Sequence, residues 1–287
     1  MNVPVKKISS LFVLTLATLL FASCGEYYKA LKYGDAEYKY EVAKACYARG
    51  QYGHAQELFN SLIVAMKGSG YGDECLYMMA LSAYMGRDLE TASSTFSKYY
   101  QTYPRGLYVE EAHYYAGLSL YETVPDPRLD QSTTYTAINE LQSFLDKYPT
   151  TRLKPQVQDM LGRLEEQLIE KELRSAKLYY DLGGYILNST SGGSNYEACI
   201  VTSENALHDY PYASAHYREQ FMILALRSRY RLARQSIEEK RVQRFRETVD
   251  EYYAFANEFP ESTYMKEAQQ YLERSQRALK GLPLDDE

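Results

Sequence analysis

The sequence has no tryptophan, and among its 287 residues only four are cysteine and four are histidine. Beyond residue 30 the cysteines are Cys46, Cys75 and Cys199, an odd and widely spaced set that provides neither a disulfide framework nor a zinc pattern. We interpret these three as small core residues. The chain also lacks a metal-binding His-Glu pair at helical spacing, a glycine-rich phosphate loop and a Gly-x-Ser-x-Gly motif. These absences argue against an enzyme, and we predict no catalytic residue, no cofactor and no metal site.

Long apolar runs are equally rare. Only the segment Ile8–Ala22 is mostly apolar, and it follows the positively charged Lys6 and Lys7. This segment is shorter than the roughly 20 residues of a comfortable membrane span. A short apolar run behind a basic start is typical of a secretory signal peptide.

A lipidation motif ends this segment. The tetrapeptide Phe21-Ala22-Ser23-Cys24 resembles a bacterial lipobox, in which the cysteine becomes the mature N-terminus and carries acyl chains. Each buried methylene contributes about 0.8 kcal/mol to membrane binding, so a protein with more than one acyl chain stays on its membrane. We predict a signal peptide over residues 1–23, lipidation at Cys24 and a lipidated tether over residues 24–35.

An internal repeat of 37 residues follows the tether. It is defined by a glutamate and by two tyrosines further along the same helix. The members are Glu37, Glu74 and Glu111; Tyr40, Tyr77 and Tyr114; and Tyr47, Tyr84 and Tyr121. Small residues at Ala43, Ala80 and Gly117 share this phase and form a neighbouring stripe. The pattern predicts a first helix in each repeat that approaches its neighbours closely.

In four of the repeats the second helix ends at an aromatic-proline pair. Twelve residues separate a small residue or threonine from this proline in Ala92 and Pro104, Ala137 and Pro149, Cys199 and Pro211, and Thr248 and Pro260. Because proline cannot continue a helix, each pair stops the second helix and turns the chain into the next repeat. We predict five repeats and a final amphipathic helix that covers the exposed end. Their ranges are 36–70, 73–106, 110–150, 165–212, 214–261 and 263–280.

The order of glycine, tyrosine, alanine, aromatic residue and proline resembles the tetratricopeptide repeat. This resemblance implies an all-α fold, a tetratricopeptide-repeat superhelix of about five helix-turn-helix repeats plus a C-terminal capping helix. Nearly the whole mature chain also resembles the BamD family, the tetratricopeptide lipoproteins of the outer-membrane β-barrel assembly machinery. That resemblance rests on Cys24, the block Ala43–Ala55, Asp130-Gln131, Ala176 with Tyr179-Tyr180, the aromatic-proline helix ends and the insertion at 122–135 in the third repeat.

The BamD resemblance implies a division of labour along the chain. Residues 36–150, repeats 1–3, would bind the targeting signal of unfolded outer-membrane proteins. Residues 151–282, repeats 4 and 5 with the capping helix, would dock on a partner. The implied partners are a BamA-like barrel-assembly insertase, accessory Bam lipoproteins and unfolded β-barrel precursors. Because Gly25 rather than aspartate follows the lipidated cysteine, we expect a lipid anchor in the outer membrane that faces the periplasm.

The concave side of a repeat solenoid is lined by the first helices, so we predict a peptide-binding groove along the tyrosine stripe. Tyrosine suits this role because it offers a rigid apolar face, a polar tip and only two side-chain torsions to immobilise. The predicted groove consists of Tyr40, Lys44, Tyr47, Tyr77, Leu81, Tyr84, Tyr114, Leu118 and Tyr121. The alternative is that most of these tyrosines pack between repeats.

A basic segment near the C-terminus is the second candidate surface. Residues 218–247 hold nine basic residues against four glutamates in a chain whose net charge is −6. The acidic total argues against nucleic acid as the main partner. We predict a dock for an acidic partner domain at Arg218, Arg227, Arg231 and Arg234, because arginine binds carboxylates through two hydrogen bonds. The alternative is a solvated helix surface whose charges pair within the chain.

Two further functions compete with barrel assembly. One is another tetratricopeptide lipoprotein or periplasmic adaptor, of the cell-division coordinator or pilus-assembly type, which would share the aromatic-proline stops. The other is a glycan-binding lipoprotein with a helical core. A glycan-binding surface usually stacks sugars on tryptophan, which this sequence lacks.

Overall fold

A computed structural model of the chain describes residues 25–183 and 194–283. Every regular element in these two ranges is an α-helix, which confirms the predicted all-α fold. The predicted signal peptide, Cys24 and most of the insertion near 186–195 lie outside the described residues. No helix within the described ranges is both long enough and apolar enough to cross a bilayer.

Twelve helices occupy the described residues, and they pair in chain order. Their bounds are α1 (25–33), α2 (Ala36–Ala48), α3 (Tyr52–Leu62), α4 (Gly72–Met85), α5 (Leu89–Thr102), α6 (Val109–Tyr121), α7 (Ser132–Lys147), α8 (Lys154–Leu182), α9 (Asn195–Asp209), α10 (Ala215–Arg234), α11 (Glu238–Glu258) and α12 (Met265–Leu279). The five pairs from α2–α3 to α10–α11 correspond to the five predicted repeats. The final helix, α12, packs on α11 and α10 and corresponds to the predicted capping helix.

The chain divides into two compact units. The first unit contains Met1–Pro125 and Gln131–Leu161, and the second contains Asp126–Asp130 and Gly162–Glu287. The boundary therefore falls inside the long helix α8 rather than at the end of a repeat.

The aromatic-proline pairs end the second helices as predicted. Tyr103, Tyr148, Tyr210 and Phe259 are the C-terminal cap residues of α5, α7, α9 and α11. Each has left the helical conformation, with φ between −119° and −127°, yet its N–H still bonds to the carbonyl four residues earlier. The following proline has no N–H to continue this ladder, so the helix stops there.

The turn inside the first two repeats uses a left-handed backbone conformation at one phase of the repeat. Gly50, after α2, has φ of +74°, and Arg87, 37 residues later and after α4, has φ of +65°. Glycine adopts this conformation without steric cost, whereas arginine does so at a cost of roughly 1 kcal/mol or more. The Arg87 side chain is ion-paired with Glu122 on the next repeat.

The core of the first unit is built from small residues facing aromatic rings. Ala55 and Phe59 in α3, and Ala92 and Phe96 in α5, are all fully buried. The predicted stripe of small residues on the first helices is buried as well; at Gly117 a Cβ would lie 2.6 Å from Leu141 Cδ2. This arrangement lets side chains of one helix, such as Leu141, pack directly against the backbone of the next.

The second unit has α10 as its central helix. Ten of the twenty residues of α10 are buried, among them Phe221 and Tyr230. Phe245 and Phe255 of α11 contribute further buried rings, and α12 covers them with Tyr271. Cys46 and Cys75 in the first unit and Cys199 in the second are buried, as predicted for small core residues.

Truncating a buried ring should measure how much this core contributes. Phe96 lies 5.3 Å from the ring centre of Tyr115 and 5.8 Å from that of Tyr77. Phe96→Ala is expected to lower the free energy of unfolding by about 3–5 kcal/mol, because it removes buried area and leaves a cavity. Urea titration followed by circular dichroism measures the change. The exposed Tyr135→Ala should change the same quantity by no more than about 0.5 kcal/mol, and a comparable loss in both variants would contradict the assignment.

Candidate binding surfaces

Two of the predicted groove tyrosines lie inside the first unit rather than on its surface. The side chains of Tyr40 and Tyr77 are only 5% and 4% exposed. Tyr40 packs against Phe59, and Tyr77 stacks on Tyr108 with ring centres 4.2 Å apart. A ligand could reach these two rings only by displacing them.

The repeated glutamates explain why these tyrosines are buried. The carboxylate of Glu74 lies near the Tyr40 hydroxyl, and that of Glu111 lies near the Tyr77 hydroxyl. In both cases the glutamate lies 34 residues further on, at the start of the first helix of the next repeat. Burial and the neighbouring carboxylate both raise the pKa of each tyrosine, so the hydroxyl remains a donor. We call these two contacts the Tyr–Glu ladder; they link the first repeat to the second and the second to the third.

The tyrosines seven residues later on the same helices are half-buried instead. Tyr84 donates to Glu122 Oε1 at 2.7 Å, and its ring meets the edge of Tyr115 at 5.0 Å. Tyr47 packs against the edge of Tyr52, and its pKa is raised by burial and by the nearby Tyr115 and Glu111. Side chains from α2, α4 and α6 therefore meet on one face, which we call the tyrosine surface: Tyr47, Tyr84 and Tyr115.

The remaining predicted groove residues differ in exposure. Lys44 is exposed, with its Nζ 4.9 Å from the ring centre of Tyr40. The other four are half-buried: Leu81, Tyr114, Leu118 and Tyr121. Tyr115 was not predicted, because it falls outside the 37-residue phase that selected its neighbour Tyr114.

The arginines of the predicted dock are held largely by carboxylates of their own unit. Arg218 binds Glu258 through two hydrogen bonds of 2.6 and 3.1 Å. Arg227 binds Glu267 in the same way at 2.8 and 2.7 Å, and this pairing lowers the pKa of the Glu267 carboxyl.

The other arginines of α10 are also embedded in the fold. Arg231 and Arg234 are half-buried in the last turn, and the charge of Arg231 contributes to the lowered pKa of Glu267. Arg229, which was not among the predicted docking residues, pairs with carboxylates of α9 and α11, at Glu204, Glu247 and Glu251. The positive excess counted along residues 218–247 is therefore offset by acidic residues of neighbouring helices.

A cavity of about 490 Å³ opens on the second unit between α8, α10 and the start of α12. Its basic lining residues are Arg174, Lys177 and Arg227, and Tyr264 forms part of its wall. Arg227 lies 5.1 Å from the ring centre of Tyr264, and Arg174 pairs with Glu170 one turn earlier. Arg174 and Lys177 were missed by the sequence analysis because they lie on a different helix from the basic segment.

A buried histidine in the first unit lies among aromatic rings, near one carboxylate. His113 of α6 is 2% exposed, and its Nε2 lies 3.7 Å from the Glu140 carboxylate of α7. The ring stacks on Tyr100 of α5, whose hydroxyl donates to Glu140 at 2.9 Å. Burial, with a smaller effect of the nearby Lys147 charge, lowers the pKa of His113 to about 4. Burial also raises the pKa of Glu140.

No group of three or more His, Cys, Asp or Glu side chains within residues 25–183 and 194–283 is arranged to hold a metal ion. What the described residues do present is a set of helical repeats, a row of half-buried tyrosines and a basic cavity. These features define a tetratricopeptide-type helical scaffold.

Comparison with known families identifies the scaffold more closely. Residues 33–190, more than half of the chain, match the YfiO family, which is described as an outer membrane lipoprotein family. The chain belongs to this family.

Curated relatives carry the name outer membrane protein assembly factor BamD. The protein of Caulobacter vibrioides is 22% identical over 135 residues, which cover 47% of this chain and 44% of the relative. Two proteins of Xylella fastidiosa, from strains 9a5c and Temecula1, are 23% and 24% identical over 184 and 154 residues, which cover 59% and 50% of this chain and 62% and 52% of those proteins. The chain thus spans about half the length of the curated relatives it matches. The resemblance to the BamD family is confirmed.

The buried histidine should make stability depend on pH. The pKa of His113 is about 6.5 in the unfolded chain and lower in the folded chain. Below pH 6.5 the unfolded state therefore binds a proton that the folded state does not bind until the pH approaches 4. Between pH 7 and pH 5 this should cost about 2 kcal/mol of unfolding free energy. The raised pKa of Glu140 acts in the opposite direction and offsets part of this loss.

Urea titrations at both pH values test the effect with His113→Phe, which keeps the aromatic ring. The variant retains Glu140, so its unfolding free energy should fall by about 2 kcal/mol less than that of the unaltered chain over the same interval. Equal pH dependence in the two proteins would exclude His113 as the source.

Proposed function

We propose that this chain is an outer-membrane protein assembly factor: a lipid-anchored scaffold, facing the periplasm, that binds unfolded β-barrel precursors and docks on the barrel-assembly insertase. Membership of the YfiO family and the names of the curated relatives support the assembly role. The observation that carries the proposal in this chain is the tyrosine surface, to which three successive first helices contribute. Acylation of Cys24 supplies the anchor in this proposal.

Precursor binding is assigned to the tyrosine surface of the first unit. Half-buried tyrosines are held in place by the fold, so little side-chain entropy is lost when a peptide packs on them. Each ring offers apolar area and a hydroxyl, which matches an extended peptide whose side chains alternate between apolar and polar. Tyr40 and Tyr77 act below this surface, where the Tyr–Glu ladder keeps the three first helices in register.

Docking on the insertase is assigned to the second unit. The predicted docking residues Arg218 and Arg227 already bind Glu258 and Glu267, so most of their charge is compensated within the unit. The basic cavity has two further exposed cations, Lys177 and Arg174, of which Arg174 pairs with Glu170 in the same lining. Carboxylates of a partner domain can bind there through charge-assisted hydrogen bonds, and we place the dock at this cavity. The accessory Bam lipoproteins are further partners in this proposal.

Removing two rings of the tyrosine surface tests precursor binding. Tyr47→Ala with Tyr84→Ala should weaken binding of a synthetic targeting peptide about tenfold or more, because truncating an aromatic anchor commonly costs over 1 kcal/mol each. Fluorescence anisotropy with a labelled peptide, alternating apolar and polar and ending in an aromatic residue, measures the affinity. Circular dichroism verifies that the helix content is unchanged.

The matched control for this experiment is Tyr135→Ala on the second helix α7, where the side chain is 52% exposed. It removes an accessible tyrosine from the same unit without touching the tyrosine surface. Unchanged affinity in the double variant, or an equal loss in the control, would refute the assignment of precursor binding to this face.

Reversing charge at the cavity tests the dock. Arg174→Glu with Lys177→Glu should abolish co-purification of the insertase from detergent-solubilised envelope, because the partner carboxylates would then meet like charge. The control is Lys240→Glu with Arg241→Glu, an equal reversal at exposed positions of α11. Retention of the insertase in both double variants would place the dock elsewhere. Absence of an insertase with the unaltered chain would favour another tetratricopeptide lipoprotein function.

A further inference from the structure

The first described helix, α1, is fixed rigidly to the first repeat. Tyr27 and Ala30 are 4% and 0% exposed, and the Tyr27 ring stacks on His54 of α3 with ring centres 3.9 Å apart. The Tyr27 hydroxyl bonds to Glu57, and Glu26 pairs with Arg49 at the end of α2 at 3.4 Å. Residues 25–33 therefore move with the α2–α3 pair rather than as a loose tether.

The opposite face of α1 is exposed and carries two tyrosines and two lysines. Tyr28 is 63% exposed and Tyr33 75% exposed, and Lys29 and Lys32 are exposed beside them. At 100° per residue these four positions fall within one arc of the helix, opposite the buried Tyr27 and Ala30 and the half-buried Leu31. The Lys32 Nζ lies 5.2 Å from the ring centre of Tyr33. No acidic residue lies within this arc of α1.

The distance between the proposed lipid anchor and the exposed face of α1 limits which molecules can contact this face. The proposed acylation site, Cys24, is joined directly to Gly25, the first residue of α1. Consecutive Cα atoms are about 3.8 Å apart, and a helix of nine residues is only about 13.5 Å long. The acyl chains start in the leaflet, so the exposed face lies at the depth of the lipid headgroups or directly above them.

The chemistry of this face fits a lipid surface. Tyrosine is enriched at membrane interfaces, where its ring lies among the headgroups and its hydroxyl reaches water. Lysines next to the membrane are attracted to anionic lipids. A protein partner would have to bind the same face within about 13.5 Å of the anchor, the length of α1.

We propose that α1 lies on the membrane with Tyr28, Lys29, Lys32 and Tyr33 among anionic headgroups, and thereby fixes the orientation of the first repeat relative to the leaflet. This inference rests on the lipid anchor of the proposed function. It adds a second, non-covalent membrane contact to the acyl chains. The anchor alone would leave the first unit free to rotate, whereas a seated helix would not.

The absence of tryptophan from the chain makes the test direct, because a single introduced indole is the only one present. Tyr33→Trp and Tyr28→Trp are made in the full acylated lipoprotein and reconstituted into vesicles of phosphatidylcholine and phosphatidylglycerol. Emission from either tryptophan should shift to the blue and be quenched by lipids brominated near the headgroup. The control is Leu107→Trp, at an 82% exposed position before α6 in the same unit, which should keep the emission of a water-exposed indole.

The charge of the face is tested in the Tyr33→Trp background. Lys29→Glu with Lys32→Glu should remove most of the quenching, and vesicles of phosphatidylcholine alone should reduce it. Mass spectrometry verifies acylation of Cys24 in each preparation.

Three outcomes would overturn the inference. In acylated protein, a tryptophan at position 33 that stays as exposed to water as one at position 107 would leave the assembly function intact but exclude the seated helix. Quenching that occurs only when the insertase is reconstituted alongside would assign the face to a protein partner. An unmodified Cys24 would refute both the membrane contact of α1 and the lipid anchor of the proposed function. Peptide binding and docking would still be decided by their own tests.

Discussion

Close approach of neighbouring helices is the constraint on which the rest of this structure depends. It requires a small residue where two helices meet and an aromatic ring one turn later to fill the adjoining space, as with Ala92 and Phe96. Because glycine or alanine occupies the contact, consecutive helices pack closely, and the Tyr–Glu ladder then connects the first helices of successive repeats. The half-buried tyrosines above the ladder are thereby held at fixed spacing. A bulkier residue at the contact would separate the repeats and disperse the binding face.

Tyrosine has two roles in the first unit, and the position of each tyrosine along its helix determines which role it has. Early in the first helices of the first two repeats, Tyr40 and Tyr77 are buried, and each hydroxyl lies near a glutamate 34 residues further on. A tyrosine seven residues later, such as Tyr84, lies on the edge of the helix and remains accessible. The aromatic content of the chain therefore does not measure the size of a binding site. Depth within the repeat decides whether a ring stabilises the fold or is available to a ligand.

Structural features that depend on residues close together in the chain could be predicted from the sequence. The helix ends at Tyr103, Tyr148, Tyr210 and Phe259, the five helix pairs and the capping helix follow from proline chemistry and spacing, and the structure has all of them. Burial of Tyr40 and Tyr77 depends on acceptors in the next repeat, so the helical period alone did not distinguish them from Tyr47 and Tyr84. The compensation of Arg218 and Arg227 depends on Glu258 and Glu267, 40 residues away, and a count along one segment omits both. The cavity lined by Arg174 and Lys177 could not be predicted, because it forms only when α8, α10 and α12 assemble.

The turns after α2 and α4 share a left-handed residue at one phase, although one is Gly50 and the other Arg87. The two turns share the left-handed backbone conformation but not the residue type that adopts it. Two helices of fixed length, packed through their small residues, leave the linking residue a single conformation, and arginine adopts it because the pair as a whole is stable enough to absorb the strain. Individual repeats can therefore diverge at their turns while the geometry of the array persists, and a repeat of this kind is recognised more reliably by its buried contacts than by its glycines.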